Sequence, residues 1–332
     1  MKRISTLLAT TALAVSFAGA ALAQDLKAVS FGTNWLAQAE HGGYYQSVAD
    51  GTYKACGLDV SIVMGGPQVD GRALLLAGKI QFFMGANLLD SFNAVEQEIP
   101  VKIVAGDFQK DPQIMMSHPG QGLDSWEDLK KAEKIIVSDG AIQSFFRWMT
   151  AEGFDGNKRE NYTFDPAPFL ANVKSIQQGY LTSEPYAVEK VLGKAPNVFL
   201  MADNGFTTYS TMIETMADTI TNDPAAVKCF VEGSAKGWMN YLNGDATAAN
   251  ALIKKDNPSM DDGQLAYSIA KLKEYGIVQS GDADKLGIGA MTAEGIASFY
   301  AKMVKAGVVK DGLDITKGYD LQFVGHGIGK KM

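Results

Sequence analysis

The sequence has few of the residues from which catalytic and metal sites are usually built. Its 332 residues include two cysteines and three histidines. No H-E-x-x-H zinc motif, cysteine cluster or G-x-S-x-G elbow occurs in it. We therefore predict a protein that is not an enzyme, with no cofactor and no bound metal.

Arginine is also scarce, and the chain as a whole is acidic. Beyond residue 23 the arginines are Arg72, Arg147 and Arg159, and the formal net charge of the chain is −7. Nucleic acids and anionic membrane surfaces attract basic patches, which this composition does not supply. We therefore predict a small-molecule ligand, no nucleic-acid partner, and a monomer.

A long apolar run occurs at the N-terminus and nowhere else in the sequence. Lys2 and Arg3 precede the apolar residues 7–22, and Ala21-Leu22-Ala23 fits an A-x-A cleavage site. The run is short for a membrane span, which takes roughly 20 apolar residues. The pattern predicts a cleavable signal peptide over residues 1–23. The residue directly after the cleavage point is not a cysteine that could accept a lipid. We therefore expect a soluble protein in the periplasm, of roughly 300 residues and about two domains.

The two cysteines, Cys56 and Cys229, allow two interpretations. An even number of cysteines in an exported protein permits one disulfide. Two separate buried thiols are the alternative. We favour the Cys56–Cys229 disulfide, which would join the start of the second strand to a C-terminal helix.

The first part of the chain alternates short apolar runs with helical patterns. This rhythm predicts a mostly parallel sheet covered by helices on both faces. The predicted strands cover residues 26–33, 58–64, 81–85 and 101–105, and the predicted helices cover 39–54, 69–77 and 88–97.

The same alternation of strand and helix patterns begins again near residue 113. From residue 223 the pattern is mainly helical. The predicted strands there are 113–117, 134–138, 162–164, 180–182 and 197–201, and the predicted helices are 125–131, 141–152, 170–178, 223–242, 246–255, 261–275 and 292–306. The helical C-terminal part has no strands of its own, so we expect it to pack on the first block. The result is an α/β protein with two lobes, residues 24–105 plus 205–332 and residues 106–204, and a ligand cleft between them.

Aromatic and polar residues near the ends of the predicted strands are the candidate ligand contacts. Aromatic faces stack on flat ligands, although core packing explains a single aromatic residue equally well. Glu184 precedes Pro185 and is expected to open a helix at the cleft, where its carboxylate can accept N–H bonds; a favourable interaction with the helix dipole is the alternative role. The candidate ligand-binding residues are Asn34, Trp35, His41, Tyr44, Gln68, Asn87, Ser138, Gly140, Glu184, Tyr186 and Tyr209.

Several short sequence motifs occur in an order that resembles one protein family. They are Asn34-Trp35, Glu40-His41-Gly42-Gly43-Tyr44-Tyr45, Gly57-Leu58-Asp59-Val60, Leu76-Ala77-Gly78-Lys79-Ile80-Gln81-Phe82, Ser125-Trp126-Glu127-Asp128-Leu129-Lys130 and Gln178-Gly179-Tyr180-Leu181-Thr182-Ser183-Glu184-Pro185-Tyr186. Together they resemble the periplasmic binding proteins of ABC importers for nitrate, sulfonates and thiamine pyrimidine precursors. The resemblance implies the two-lobed type II binding-protein fold, closure of the lobes about a hinge, and delivery of the ligand to a permease in the inner membrane.

Within that family the chain most resembles the branch that binds pyrimidine precursors. Those proteins bind formylaminopyrimidine or hydroxymethylpyrimidine compounds, so the resemblance implies a heteroaromatic pyrimidine ligand. A related synthase uses pyridoxal phosphate with a lysine four residues before a histidine. Here His41 is present, but Ala37 occupies the lysine position. A binding protein for a sulfonate, nitrate or another small anion is the first alternative, and an exported enzyme that uses His41 as a general base is the second.

Overall fold

The structure of the protein is a computed structural model that describes residues 25–142 and 144–330. The predicted signal peptide lies outside these residues. Among the helices in the described part of the chain, none is both long enough and apolar enough to span a bilayer.

The strands form two separate sheets of five strands each. In chain order they are β1 (Lys27–Gly32), β2 (Leu58–Val63), β3 (Phe82–Asn87), β4 (Val101–Phe108), β5 (Gln113–Ser117), β6 (Lys134–Val137), β7 (Arg159–Asn161), β8 (Ser175–Tyr180), β9 (Asn197–Leu200) and β10 (Ser210–Met216). The first sheet has the order β2-β1-β3-β10-β4, and the second has the order β7-β6-β8-β5-β9.

Helices cover these sheets. They are α1 (Gly42–Ala49), α2 (Thr52–Ala55), α3 (Gly71–Leu76), α4 (Leu88–Glu96), α5 (Phe145–Ala151), α6 (Ala167–Ala171), α7 (Glu184–Leu192), α8 (Ala217–Asn222), α9 (Pro224–Asn243), α10 (Thr247–Asp256), α11 (Asp262–Glu274), α12 (Ala283–Leu286) and α13 (Ala293–Lys305). Short 3-10 turns cover Ala39–His41, Asp128–Lys131, Asp139–Ala141, Gly156–Lys158, Met201–Asn204, Ile315–Gly318 and Leu321–Phe323.

Each sheet contains one strand that runs against the other four. In the first sheet this strand is β10, which pairs antiparallel with β3 and β4, and in the second it is β5, which pairs antiparallel with β8 and β9. The remaining pairs, β1 with β2 and β3, and β6 with β7 and β8, are parallel. The prediction of a mixed, mostly parallel sheet in each half is therefore confirmed.

The C-terminal helix α9 packs on the first sheet. The ring of Phe230 on α9 stacks on Phe82 of β3 with 4.2 Å between ring centroids, and it also contacts Phe31 and Tyr53. A Cβ atom at Gly237 of α9 would lie 2.0 Å from a backbone oxygen of α1, so only glycine allows this close approach of the two helices.

The predicted disulfide is confirmed. Cys56, which follows α2, is bonded to Cys229 of α9, with 5.7 Å between the two Cα atoms. This bond ties the C-terminal helices to the first sheet across 173 positions of sequence.

The second block departs most from the sequence-based assignment. Residues 162–164 follow β7 as a loop instead of forming a strand, and residues 180–182 end β8 in a turn. The helix predicted over 170–178 is wrong, because α6 ends at Ala171 and β8 begins at Ser175. Backbone pairing of β8 with β6 on one side and β5 on the other decides this, and tertiary pairing of that kind overrides local propensity. Strand β10 was not predicted, and the helix predicted over 39–54 is interrupted at Gly51, where φ is 76°.

Candidate functional site

A cleft with a volume of about 650 Å³ lies between the two sheets. Loops that follow β1, β6 and β7 line it, together with the last residues of β3 and β8 and the start of α7. These are the carboxyl ends of strands, the position where open α/β sheets bind their ligands. The volume falls within the range of small-molecule sites.

The structure brings seven of the predicted contact residues together in this cleft, and four lie elsewhere. The seven that line the cleft are Asn34, Trp35, His41, Asn87, Ser138, Gly140 and Glu184. Their use in ligand binding stays a prediction, but their common location is a property of the fold.

Two of the four remaining residues are held inside the protein. Tyr44 is fully buried, with its ring 4.4 Å from that of Phe31, because α1 presents this side to the core of the first sheet. Tyr209 is also buried, and its hydroxyl donates a hydrogen bond to Asp282. Both residues therefore belong to the packing of the protein, which was the alternative interpretation of the aromatic residues.

The other two lie away from the cleft, Tyr186 half-buried and Gln68 exposed. Tyr186 points from α7 towards α11, where its ring centroid is 5.3 Å from that of Tyr267 and 4.2 Å from Nζ of Lys190. Gln68 is exposed, and its neighbour Pro67 reaches the cleft instead. A shift of one residue along a turn is enough to change which side chain faces the cleft.

An aromatic pair joins the loops of the two sheets across the cleft. The ring of Trp35, after β1, lies 5.0 Å from that of Phe164, after β7, at an interplanar angle of 45°. Tyr162 lies 5.2 Å from Phe164 and also lines the cleft. Of the aromatic residues predicted as ligand contacts, only Trp35 belongs to this group of rings, and the sequence analysis missed Phe164 and Tyr162.

Backbone strain is concentrated at this site. Phe164 has a φ of 64° and a 51% exposed side chain, and Thr211 has a φ of 51° within β10. Both residues line the cleft, and positive φ is unfavourable for an aromatic or β-branched residue. Such strain is typical of functional sites, where the surrounding fold holds a side chain in a required position.

Acidic side chains give the cleft its electrostatic character. Glu184 opens α7, as predicted, and its Oε2 accepts a hydrogen bond of 2.7 Å from the backbone N–H of Tyr180. Burial raises the pKa of Glu184 above its usual value. Asp111 accepts hydrogen bonds of 3.0 Å from Nδ2 of Asn87 and from the backbone N–H of Gln113, and burial raises its pKa to about 6.

Glu40 is a third carboxyl in the cleft, and it is almost completely buried. Burial, together with the charge of Glu184, raises its pKa to about 7. Its Oε1 accepts a hydrogen bond from the hydroxyl of Thr182. Its Oε2 has no hydrogen-bond partner among the described residues.

His41 is neutral in this environment. Burial lowers its pKa to about 3, and its Nδ1 accepts a 3.3 Å hydrogen bond from the backbone N–H of Gln38. A neutral imidazole that accepts at Nδ1 carries its hydrogen on Nε2, so His41 is a hydrogen-bond donor at the cleft. No group of histidine, cysteine and acidic side chains within residues 25–142 and 144–330 is arranged to hold a metal ion.

Acidic side chains outnumber basic ones on the described part of the cleft wall. None of the described residues that line the cleft is a lysine or an arginine, whereas four, Glu40, Asp111, Asp139 and Glu184, are acidic. Arg159 lies behind the wall, where its guanidinium pairs with Asp139 at 2.5 Å. The cleft therefore combines aromatic surface with hydrogen-bond acceptors and is suited to a ligand that donates hydrogen bonds.

Comparison with known proteins agrees with this architecture. The profile of a family described as NMT1/THI5 like matches residues 38–248. No curated protein sequence matches the chain.

Solved structures share the fold at low sequence identity. The periplasmic aliphatic sulphonate binding protein SsuA from Escherichia coli has a TM-score of 0.64 and 13% identity over 88% of this chain and 96% of that one. The ligand-binding component of an ABC-type import system from Staphylococcus aureus has a TM-score of 0.63 and 10% identity over 90% and 97%. The desulfurization enzyme DSZB has a TM-score of 0.55 and 11% identity over 90% and 97%. The predicted two-lobed periplasmic-binding-protein fold is thus confirmed, but the fold by itself does not separate binding proteins from enzymes.

Proposed function

This chain belongs to the NMT1/THI5-like family, and on that premise we propose that it is the periplasmic solute-binding component of an ABC importer. Its ligand is a thiamine pyrimidine precursor of the hydroxymethylpyrimidine or formylaminopyrimidine type. The lobes close on this ligand about their hinge, and the closed protein delivers it to a permease in the inner membrane. The proposal rests above all on a cleft that is aromatic and acidic and that no lysine or arginine lines within the described residues.

The cleft matches an aminopyrimidine group by group. The pyrimidine ring stacks beside Trp35 and Phe164, where aromatic contacts are worth ~0.5–1.5 kcal/mol beyond burial. The amino group donates to Glu184, because a carboxylate accepts N–H bonds with a charge-assisted strength of ~1.5–3 kcal/mol. The Nε2–H of His41 is available to a ring nitrogen, which is an acceptor.

The lack of lysine and arginine among the described residues of the cleft wall disfavours an anionic ligand such as a sulfonate or nitrate. Anion sites are built from arginine, lysine or converging helix N-termini. The described wall of this cleft carries acidic side chains instead, Asp139 and Glu184 among them. The likeness to the sulphonate binding protein therefore supports the architecture and the role in import more strongly than it supports that ligand.

An enzyme that uses His41 as a general base is also disfavoured. A general base at neutral pH needs a pKa near 7, and burial lowers that of His41 to about 3. The nearby hydroxyls of Ser138 and Ser183 have no basic partner among the hydrogen bonds of the described residues. Capture without turnover is therefore the role that this cleft supports best.

Export to the periplasm agrees with the cysteine chemistry. The signal peptide predicted over residues 1–23 would send the protein through the inner membrane, and the residue directly after the cleavage point is not a cysteine that could carry a lipid. The Cys56–Cys229 disulfide suits an oxidising compartment. We propose a free, monomeric periplasmic protein.

The test is to identify the ligand and then measure its binding. Native mass spectrometry of the protein from its source, followed by denaturing release, identifies any bound small molecule. Isothermal titration calorimetry then compares hydroxymethylpyrimidine with an alkanesulfonate and nitrate. We expect a pyrimidine to co-purify and to bind, and the two anions to bind at least tenfold more weakly. Tighter binding of an anion would overturn the proposed ligand.

A further inference from the structure

Glu40 connects the two halves of the protein through a single carboxyl group. It belongs to the 3-10 turn Ala39–His41 that leads into α1 beside the first sheet, and its side chain is 5% exposed. Thr182 lies in the turn after β8 of the second sheet, and its hydroxyl donates to Oε1 of Glu40. The carbonyl oxygen of Thr182 accepts hydrogen bonds of 2.6 Å from Gln264 and 2.7 Å from Ser268. One oxygen of Glu40 is therefore held in place from the opposite side of the cleft.

The second carboxyl oxygen of Glu40 has no such partner. Oε2 is buried, and it accepts no hydrogen bond within the part of the chain that the structure describes, although Glu40 lines the cleft. An unsatisfied buried acceptor costs ~1–3 kcal/mol, and more when it is charged. A buried acceptor that lines the cleft and has no partner within the described protein is positioned to accept a hydrogen bond from a ligand.

We propose that Glu40 is a specificity-determining residue whose free oxygen, Oε2, accepts an N–H from a second, positively charged nitrogen substituent of the ligand. This inference rests on the proposed function, since Glu184 takes the amino group of the same pyrimidine. The preferred ligand class is therefore an aminopyrimidine that carries an ammonium group, such as an aminomethyl substituent.

The charges around Glu40 support a cationic ligand group. Glu184 on α7 faces it, Tyr180 at the end of β8 and Tyr241 on α9 lie close enough to feel its charge, and His41 follows it in sequence. The helix α11 contributes the uncharged Gln264 and Ser268. With His41 neutral, none of these described residues supplies a positive charge. A ligand ammonium would supply it and would allow both Glu40 and Glu184 to ionise.

Binding of a cationic ligand at Glu40 should release a proton. Burial and the charge of Glu184 raise the pKa of Glu40 to about 7, so Glu40 is partly protonated near neutral pH in the empty protein. An ammonium placed on Oε2 favours the ionised carboxylate, so its binding releases a proton. As Glu40 ionises, the affinity for the cationic ligand should therefore rise as the pH increases from 6 to about 7.

The experiment compares two pyrimidines that differ in one group. Calorimetry between pH 6 and pH 8, in two buffers with different ionisation enthalpies, measures affinity and proton release for 4-amino-5-aminomethyl-2-methylpyrimidine and for its 5-hydroxymethyl analogue. In the natural protein we expect the aminomethyl compound to bind at least tenfold more tightly at pH 8 and to release a proton. Glu40→Gln, whose amide oxygen can still accept from Thr182, should remove the preference and the proton release while the hydroxymethyl compound still binds. Glu189→Gln, an exposed change on α7, is the matched control and should behave like the natural protein.

The outcomes separate this inference from the proposed function. If both pyrimidines bind equally to the natural protein, or if Glu40→Gln keeps the preference, the role of Glu40 is overturned while the pyrimidine function stands. If neither compound binds, the proposed function itself fails. If thermal unfolding shows that Glu40→Gln does not fold, the test is the proton release measured on the natural protein. Binding of the aminomethyl compound without proton release would overturn the inference.

Discussion

The rings of Trp35 and Phe164 meet over the cleft with 5.0 Å between their centroids, although 129 positions of sequence separate the two residues. Trp35 follows a strand of the first sheet and Phe164 follows a strand of the second. Each half of the protein therefore contributes one ring to the same stacking surface. A ligand between the sheets contacts both halves at once, which links its binding to the relative position of the two halves.

Phe164 should contribute to ligand binding at a cost to stability. For Phe164→Gly we expect ligand affinity to fall by ~1–3 kcal/mol, the range for stacking of a heteroaromatic base on a protein ring. The unfolding temperature should stay the same or rise, because glycine adopts the φ of 64° without strain. Calorimetry and thermal unfolding measure the two effects. Val173→Ala, at a similarly exposed apolar residue that does not line the cleft, should change neither, and an unaltered affinity of Phe164→Gly would show that this ring does not contact the ligand.

Glu184 should bind the ligand as a charged acceptor. In Glu184→Gln the amide oxygen can still accept the 2.7 Å hydrogen bond from the backbone N–H of Tyr180, so the fold should be kept. Loss of the negative charge should weaken binding of an aminopyrimidine by ~1–3 kcal/mol, as measured by calorimetry. Glu189→Gln on the same helix serves as the control. If the two variants bind equally well, Glu184 has only a structural role at the start of α7.

The Cys56–Cys229 disulfide should contribute to stability and leave the cleft unaffected. The bond closes a loop across 173 positions, and removing a disulfide typically costs ~2–5 kcal/mol of unfolding free energy. We expect the double variant Cys56→Ser and Cys229→Ser to unfold at lower denaturant concentration. Its ligand affinity should match that of the natural protein, because neither cysteine lines the cleft. Reduction of the natural protein should reproduce the loss, and equal stability before and after reduction would contradict the prediction.

Asp107 should make the stability of the protein depend on pH. It is fully buried in β4, where it accepts a 3.1 Å hydrogen bond from Nε1 of Trp238, and burial raises its pKa to about 7. The folded state therefore keeps a proton that the unfolded state loses near pH 3.8, so this contribution to stability is complete below pH 3.8 and is lost as the pH rises to about 7. Asp107→Asn cannot titrate, so its unfolding free energy should fall less between pH 4 and pH 7.

The comparison with the natural protein is made by denaturant titration across that pH range. At about pH 7.5 we expect Asp107→Asn to be more stable by on the order of 1–3 kcal/mol. The exposed Asp59→Asn should keep the slope of the natural protein. A variant of Asp107 with the natural slope would mean that this carboxyl is ionised in the fold.

The sequence identified the parts of the molecule whose signal is local. The strand predicted over 113–117 coincides with β5, and β1, β2 and β4 each appear near their predicted positions, because alternating or continuous apolar runs between turn residues are a property of the segment itself. Asn34, Trp35 and Glu184 were found for the same reason, since each lies beside a strand end or a proline that is visible in the sequence. The prediction for residues 162–182 was wrong because the pairing of β8 with its two neighbouring strands, and not local preference, sets the structure of this segment.

The sequence alone therefore identified the class of the protein. The signals were the alternation of strand and helix patterns, the acidic and arginine-poor composition, the pair of cysteines and the ordered motifs of its family. The tertiary structure decided which of the candidate side chains share a cleft. It placed Tyr44 in the core, joined Glu40 to Thr182, and held Phe164 against Trp35. The last two relations depend on contacts between segments more than 100 positions apart, which arise only when the two sheets have formed and face each other, so no local pattern encodes them.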